Sequence, residues 1–325
     1  MEFMKFPRLS IRALGLFIIA LGSVWAQDYP AKPLRMIVPY PPSGGTDIVA
    51  RLLATKLGDS LGQSVVVDNR PGASTIIGTD LMSKAAPDGY TIGIITDSHS
   101  INPNFFKKLP YDSLRDFDPV SQLVVAPFLL VAHPSLQART LKELIAAAKA
   151  RPGKINYASV GPGSPHHLAM EWMKVQAGID MVHVPYKGTM AAYGDLLAGQ
   201  VGVMFTGVPT GMPNVRRGKL EAIAVSTAKR QPSVPEIPTM VESGLPEFEL
   251  VGWYGAVTPA GAPKEIVARL SREIARALDQ KDVRERLEAM GLEAAASSPA
   301  SFGAFLAKDA AKYAHIIKIT GAKID

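Results

Sequence analysis

A two-lobed α/β protein whose lobes are joined by two crossover strands is predicted by three features. These are a strand-helix alternation, its interruption near mid-chain, and a surplus of helices at the end. In the first series "LRMIVPY", "SVVVDN" and "YTIGIIT" read as strands, with 46–61 and 74–86 as the helices between them, the pattern of a parallel sheet. The rhythm is lost over 101–122 and resumes at "LVVAPFLLVAHPS", where Pro127 splits an apolar run. A second series follows: helix 140–150, strand "INYASV", helix 164–177, strand "MVHV", helix 189–198, and strands "VGVMFTG" and "LEAIAVST". After a Pro-rich loop and the strand-like "LVGWYGAVTPAG" only helices remain. Pro263 suits the first turn of a helix over 263–290, Gly291 its stop, and Ser298-Pro299 the start of another. Those helices need an existing sheet, so the chain is expected to return to the first lobe through hinge strands near 123–130 and 249–257. The expected division is 27–125 and 250–325 for lobe one and 126–249 for lobe two. No 20- to 50-residue repeat interrupts this organisation.

Composition narrows the classes of function. With 325 residues, 47% hydrophobic and 20% charged, the chain can bury a sizeable core. Residues 1–26 differ from the rest: Lys5, Arg8 and Arg12 precede "ALGLFIIALG", and the small residues Val24 and Ala26 precede an expected cleavage before Gln27. This is a cleavable secretory signal, too short to span a membrane. Its removal takes away three basic residues and one acidic one, lowering the formal charge from +6 to +4, which does not imply nucleic acid. The chain has no cysteine. Export without disulfides or a lipid-anchoring cysteine predicts a soluble periplasmic monomer stabilised by core burial.

Two glycine-rich turns stand out. "VPYPPSGGTDIVARLLA" passes from strand to helix through Tyr40, Ser43, Gly44 and Gly45, with Thr46 as the expected N-cap. "INYASVGPGSPHHLAMEW" repeats the arrangement through Gly161 and Gly163, with Ser164 as N-cap and Pro165 as first helical residue. Amides at a helix start favour an anion, and open α/β sheets bind ligands at the carboxyl ends of their strands, where both turns lie. Ser98 and His99, Tyr186 and Lys187, and Thr206 end other strands and are candidates for the same rim.

Each candidate has a plainer explanation. Asp47 and Arg51, four apart on a helix, are expected to form a local ion pair. His166 and His167 diverge by about 100° on a helix, which disfavours a shared metal. His183 alternates with apolar residues as a strand residue does, and Tyr186 and Lys187 suit a solvated turn as well as a pocket. Ser164 beside these histidines could suggest a hydrolase, but "GPGSP" lacks the G-x-S-x-G elbow. It also lacks the Walker ending, and no Cys/His metal spacing exists. No catalytic residue, metal or cofactor is expected.

"YPPSGGTDIVARLLA", "VVDNRPGASTIIGTDLMSKAAPDGYTI", "VGPGSPHHLAMEW", "HVPYKGTMAAYGDLLAGQVGVMF" and "GWYGAVTPAGAPKEIVARL" together resemble the Bug family. Its members are extracytoplasmic solute receptors of tripartite tricarboxylate transporters, and the resemblance runs through the mature chain. It implies the type II (Venus flytrap) periplasmic binding fold, with two Rossmann-like lobes. It also implies capture of a small mono- or dicarboxylate, aliphatic or aromatic, for delivery to membrane permease subunits. Carried across, it places Ser43, Gly44, Gly45 and Thr46 on one jaw and Gly161, Gly163 and Ser164 on the other. His99 and His167 match histidines of the family pattern. Ser43 stands where the family usually has Ala or Gly. Thr206 and Gly207 replace a frequent Asp or Asn, which removes an ammonium partner. The alternative role is a carboxylate sensor that presents its liganded form to a sensor kinase.

Overall fold

The computed structural model describes residues 29–323, so the secretory signal expected over 1–26 lies outside the described residues. The first lobe begins with β1 (Leu34–Val38), α1 (Gly45–Leu61), β2 (Val65–Asn69), α2 (Ile76–Ser83), β3 (Thr91–Thr96), α3 (Ser98–Phe105) and β4 (Phe117–Ala126). Pro127 then separates β4 from β5 (Phe128–Ala132), which belongs to the other sheet. The second lobe continues with α4 (Leu141–Ala150), β6 (Asn156–Ser159), α5 (Pro165–Ala177), β7 (Val182–Pro185), α6 (Thr189–Leu197), β8 (Val203–Gly207), α7 (Val208–Arg216) and β9 (Glu221–Val225). The chain re-enters the first sheet as β10 (Gly252–Pro259). It closes with α8 (Lys264–Asp279), α9 (Lys281–Ala289), β11 (Glu293–Ala294) and α10 (Pro299–Thr320).

Strand order is β11-β4-β10-β3-β1-β2 in one sheet and β7-β6-β8-β5-β9 in the other. Most of the β/α strands pair in parallel, as the alternation predicts, but β5 and β10 run antiparallel to their neighbours. The crossing geometry requires this reversal. The parallel strands end at the face turned toward the other lobe, so an entering strand must start at that face and run away from it. Phe128 accordingly pairs with Gly207 at the end of β8, and Tyr254 with Thr96 at the end of β3.

The two crossovers lie against each other. Gly252 pairs with Ala126, and a β-carbon there would stand 3.2 Å from the Ala126 methyl and 3.3 Å from the Phe128 ring. Ser226 ties both crossovers together: its N–H donates to the Phe128 carbonyl (2.9 Å) and its carbonyl accepts from Leu250 N–H (3.1 Å).

β1 is buried on both faces, as a central strand under two helical layers must be. Met36 and Val38 meet Val49, Leu53 and Leu57 of α1 and Leu270 and Ile274 of α8, while Ile37 packs with Met82, Trp253 and Phe302. Each such side chain contributes about 1.5–3 kcal/mol by leaving water. In α10, Phe302 and Leu306 pack on the first lobe, whereas Tyr313 and Ile316 join Trp172 and Met173 of α5 in the second lobe's core. The expected single helix 263–290 is broken at Gln280, whose ψ of 139° is extended. Helices α3 and α7 form where the pattern predicts none. Among the described residues, no helix is long and apolar enough to cross a membrane.

Candidate functional site

The first glycine-rich turn leaves its helix uncapped. Gly44, not Thr46, is the N-cap of α1 and has no side chain to offer. Thr46 lies one residue inside the helix, buried, and its hydroxyl meets that of Tyr254. No protein acceptor faces the Gly45 and Thr46 amides among the described residues. Ser43 adopts a left-handed φ of 68°, and its N–H donates to Asp47 Oδ2 at 2.8 Å. The Asp47 carboxylate also accepts from Arg51 (3.0 Å), the expected local ion pair, and from Asn69 (2.9 Å). Burial opposes its charge, but these donors outweigh burial and hold its pKa below the usual range. At Gly45 a β-carbon would stand 3.2 Å from Tyr254 Oη, close enough that the tyrosine would have to shift slightly.

Beside this turn, Tyr40 Oη lies 2.6 Å from Thr96 Oγ1 and donates to Ser98 Oγ at 3.3 Å. When Thr96 donates to Tyr40 and Tyr40 to Ser98, the Ser98 proton is left for a guest. Burial, with Asp97 nearby, keeps Tyr40 protonated by raising its pKa.

The second turn is satisfied from within. Ser164 caps α5 as expected, accepting from His167 N–H at 3.3 Å and donating to the Gly161 carbonyl at 2.7 Å. Gly161 N–H donates to Ser159 Oγ (3.1 Å), and Gly163 N–H to His167 Nδ1 (3.2 Å). Gly161 and Gly163 have φ of 120° and 73°, which favour glycine. Their amides and the Ser164 proton, expected to face a carboxylate, are thus already engaged.

The turns meet at a cavity of about 310 Å³ lined from both lobes by Tyr40, Ser98, Gly163 and Ser164 among others. None of its lining residues carries a charge. Of the expected jaw residues, Ser43, Gly44, Gly45, Thr46 and Gly161 are not part of its lining, and Ser43 stands exposed. His99 does not reach it: the ring is 3% exposed between Tyr111 and Phe117, Nε2 contacts the Ser113 carbonyl (2.7 Å), and burial pushes its pKa down to about 4. Thr206 is fully buried against Gly211 with its hydroxyl unpartnered. Tyr186 donates to Asp195 (2.7 Å) within the second lobe, and Lys187 is exposed. His166 packs on Phe128 beside the crossover, with a ring separation of 4.8 Å, and burial pushes its pKa to about 4. The two adjacent histidines therefore face different partners.

Sequence reasoning missed a third turn. Pro71, Gly72, Ser74 and Thr75, between β2 and α2, line the same cavity, as does Asn102 of α3. Ala73, Ser74 and Thr75 have left-handed φ of 46°, 52° and 77°, and the Asn102 side chain braces them by donating to the Ser74 carbonyl at 2.7 Å. "RPGAS" after a strand was the available signal, since it repeats the strand-turn-helix arrangement of the other two. Backbone held in a sparsely populated region concentrates at binding sites.

Comparison with known proteins identifies the family. Residues 49–322 match the model of the tripartite tricarboxylate transporter family receptor. Protein BugT of Bordetella pertussis is 39% identical, with 99% of this chain and 100% of that protein covered. The structure of R. palustris Rpa4515 with adipate is similar at TM-score 0.79 and 33% identity, covering 91% of this chain and 99% of that one. MatC (Rpa3494) from Rhodopseudomonas palustris with bound malate is similar at TM-score 0.74 and 31% identity, covering 89% and 100%. Matched by the family model over residues 49–322 and by a 39% identical relative over nearly its whole length, the chain belongs to the Bug-type receptors of the tripartite tricarboxylate transporter family, which are periplasmic solute-binding proteins.

Proposed function

We propose that the protein captures a small dicarboxylate in the cavity between its lobes and delivers it to the membrane permease of a tripartite tricarboxylate transporter. The observation that carries this reading is the cavity itself, a small uncharged space, largely apolar with a few polar groups, in which turns from both lobes converge. A carboxylate there is met by neutral donors, chiefly the Ser98 proton in the cavity wall, with the open α1 amides following the lining residues Tyr40 and Pro41 in the same turn. Charge-assisted bonds of this kind strengthen as water leaves the cleft. The Rpa4515 and MatC structures hold adipate and malate, which supports the same ligand class here. A volume near 310 Å³ is at the small end of ligand pockets and favours a short acid.

Ligand charge tests this reading. An ammonium group would enter a cavity without a carboxylate to receive it, so succinate or glutarate should bind more tightly than aspartate or glutamate. Titration calorimetry on the mature protein decides the order, and the bound acid should be recovered unchanged. A tighter fit for the amino acids would remove the basis of the assignment.

A further inference from the structure

Behind the second turn lies a cluster of titratable side chains, none of which lines the cavity itself. His167 Nδ1 accepts from Gly163 N–H at 3.2 Å, and its ring stacks on that of His183 with centroids 4.2 Å apart. His183 Nε2 lies 2.6 Å from Ser159 Oγ, which accepts from Gly161 N–H, and the His183 ring stacks on Tyr157 at 5.0 Å. Tyr157 in turn donates to Glu171, which pairs with Lys174 at 2.7 Å.

We propose that His167 is a positioning residue for ligand capture: its neutral imidazole, stacked on His183, fixes the backbone of Gly163 so that the turn keeps the shape that completes the cavity. This rests on the cavity being the carboxylate site. The two histidines are not equivalent. If His183 takes up a proton, Nε2 becomes a donor to Ser159 Oγ, whose own proton can turn to the Gly161 carbonyl at 3.2 Å. If His167 takes up a proton, Nδ1–H confronts Gly163 N–H, two donors head to head, and the turn loses its anchor. The fold keeps His167 neutral. Burial is the largest influence and pushes its pKa down to about 4. The groups facing it are His183 from β7 and Lys174 from α5, which lower it further, and Glu171 from α5, which raises it. Tyr157 of β6 packs beyond His183 and is held protonated by burial and by Glu171.

The test pairs two substitutions. His167→Asn places an amide oxygen near the Nδ1 position, and His167→Phe keeps a ring for stacking but has no acceptor. At pH 7, succinate affinity should fall about tenfold in the Phe variant and stay within about threefold in the Asn variant. Wild-type affinity relative to the Asn variant should fall as pH approaches 4, a ratio that cancels the ligand's own protonation. Without ligand, Gly163 amide exchange should be slow in wild type and Asn, and fast in Phe. Nitrogen shifts of wild type at pH 7 should show the ring proton on Nε2. Wild-type affinity and Gly163 protection in the Phe variant, or a proton on Nδ1, would overturn the proposal. Should wild type bind no carboxylate tried, the capture reading fails, while Gly163 exchange and the nitrogen shifts still decide whether His167 anchors the turn.

Discussion

The turn before α1 and the turn before α5 carry the same signal in sequence, a strand leading through glycines into a helix, yet they end in opposite states. In the first, a glycine caps the helix and leaves the leading amides without protein partners. In the second, Ser159 and His167 accept from the turn's amides and Ser164 donates to its Gly161 carbonyl, all from within the lobe. The difference has a physical basis. Unpaired amides at a positive helix end are open to an anion, whereas paired amides hold a shape. On the proposed reading the first lobe supplies much of the grip and the second a preset wall. A binding protein benefits from such asymmetry because only one side must reorganise when water is displaced.

The largest expected effect tests the grip. Ser98→Ala removes the proton that the Thr96-Tyr40-Ser98 chain leaves for a guest, and Tyr40→Phe breaks the chain that orients it. Loss of one charge-assisted bond should weaken succinate binding by about 1.5–3 kcal/mol, with little change in melting temperature. Equal affinities in calorimetry for wild type and both variants would show that the anion is held elsewhere.

A smaller effect tests the wall. Ser164→Ala deletes the α5 cap and the bond to the Gly161 carbonyl, so urea unfolding should register a loss of about 1 kcal/mol. Ligand affinity should change less than in Ser98→Ala, because the Ser164 proton is directed at the backbone. An affinity loss that exceeds the stability loss would return Ser164 to direct ligand contact and abolish the asymmetry.

Much of this architecture was legible before the coordinates. Alternating β-branched and amphipathic runs located the β/α units, and Pro127 marked the place where β4 ends and β5 begins in the other sheet. Ser164-Pro165 identified the α5 start because a hydroxyl cap followed by proline has one natural reading. Thr46 misled by the same rule: a threonine after two glycines suggests a cap, but Gly44 already has the extended conformation and α1 begins before the threonine. His99 and Thr206 show a second limit. Position at a strand end fixes where a residue lies and not which way it faces. Once α3 begins at Ser98, each step turns the side chain by about 100°, which carries His99 into the core between Tyr111 and Phe117. For the third turn "RPGAS" marks the place but not the conformation: left-handed Ala73, Ser74 and Thr75 depend on the tertiary brace from Asn102, and no local preference announces that.

The smallest expected effect concerns Thr206, at the second lobe's remaining strand end. Its hydroxyl is buried without a partner, while its methyl group packs on the α7 backbone, 3.1 Å from where a Gly211 β-carbon would stand. If this lobe acts as a wall, that hydroxyl has no ligand to meet and only its burial cost remains. Thr206→Val keeps the shape and removes the orphaned donor, so stability in urea should rise by roughly 0.5 kcal/mol, with succinate affinity unchanged. The sign matters more than the size. A fall in affinity would mean that β8 reaches the ligand, and the second lobe would then grip as well as support. A fall in stability would mean that the hydroxyl holds a bond within its own core. Only a gain or no change in stability, with affinity intact, fits a lobe whose strand ends serve its own structure.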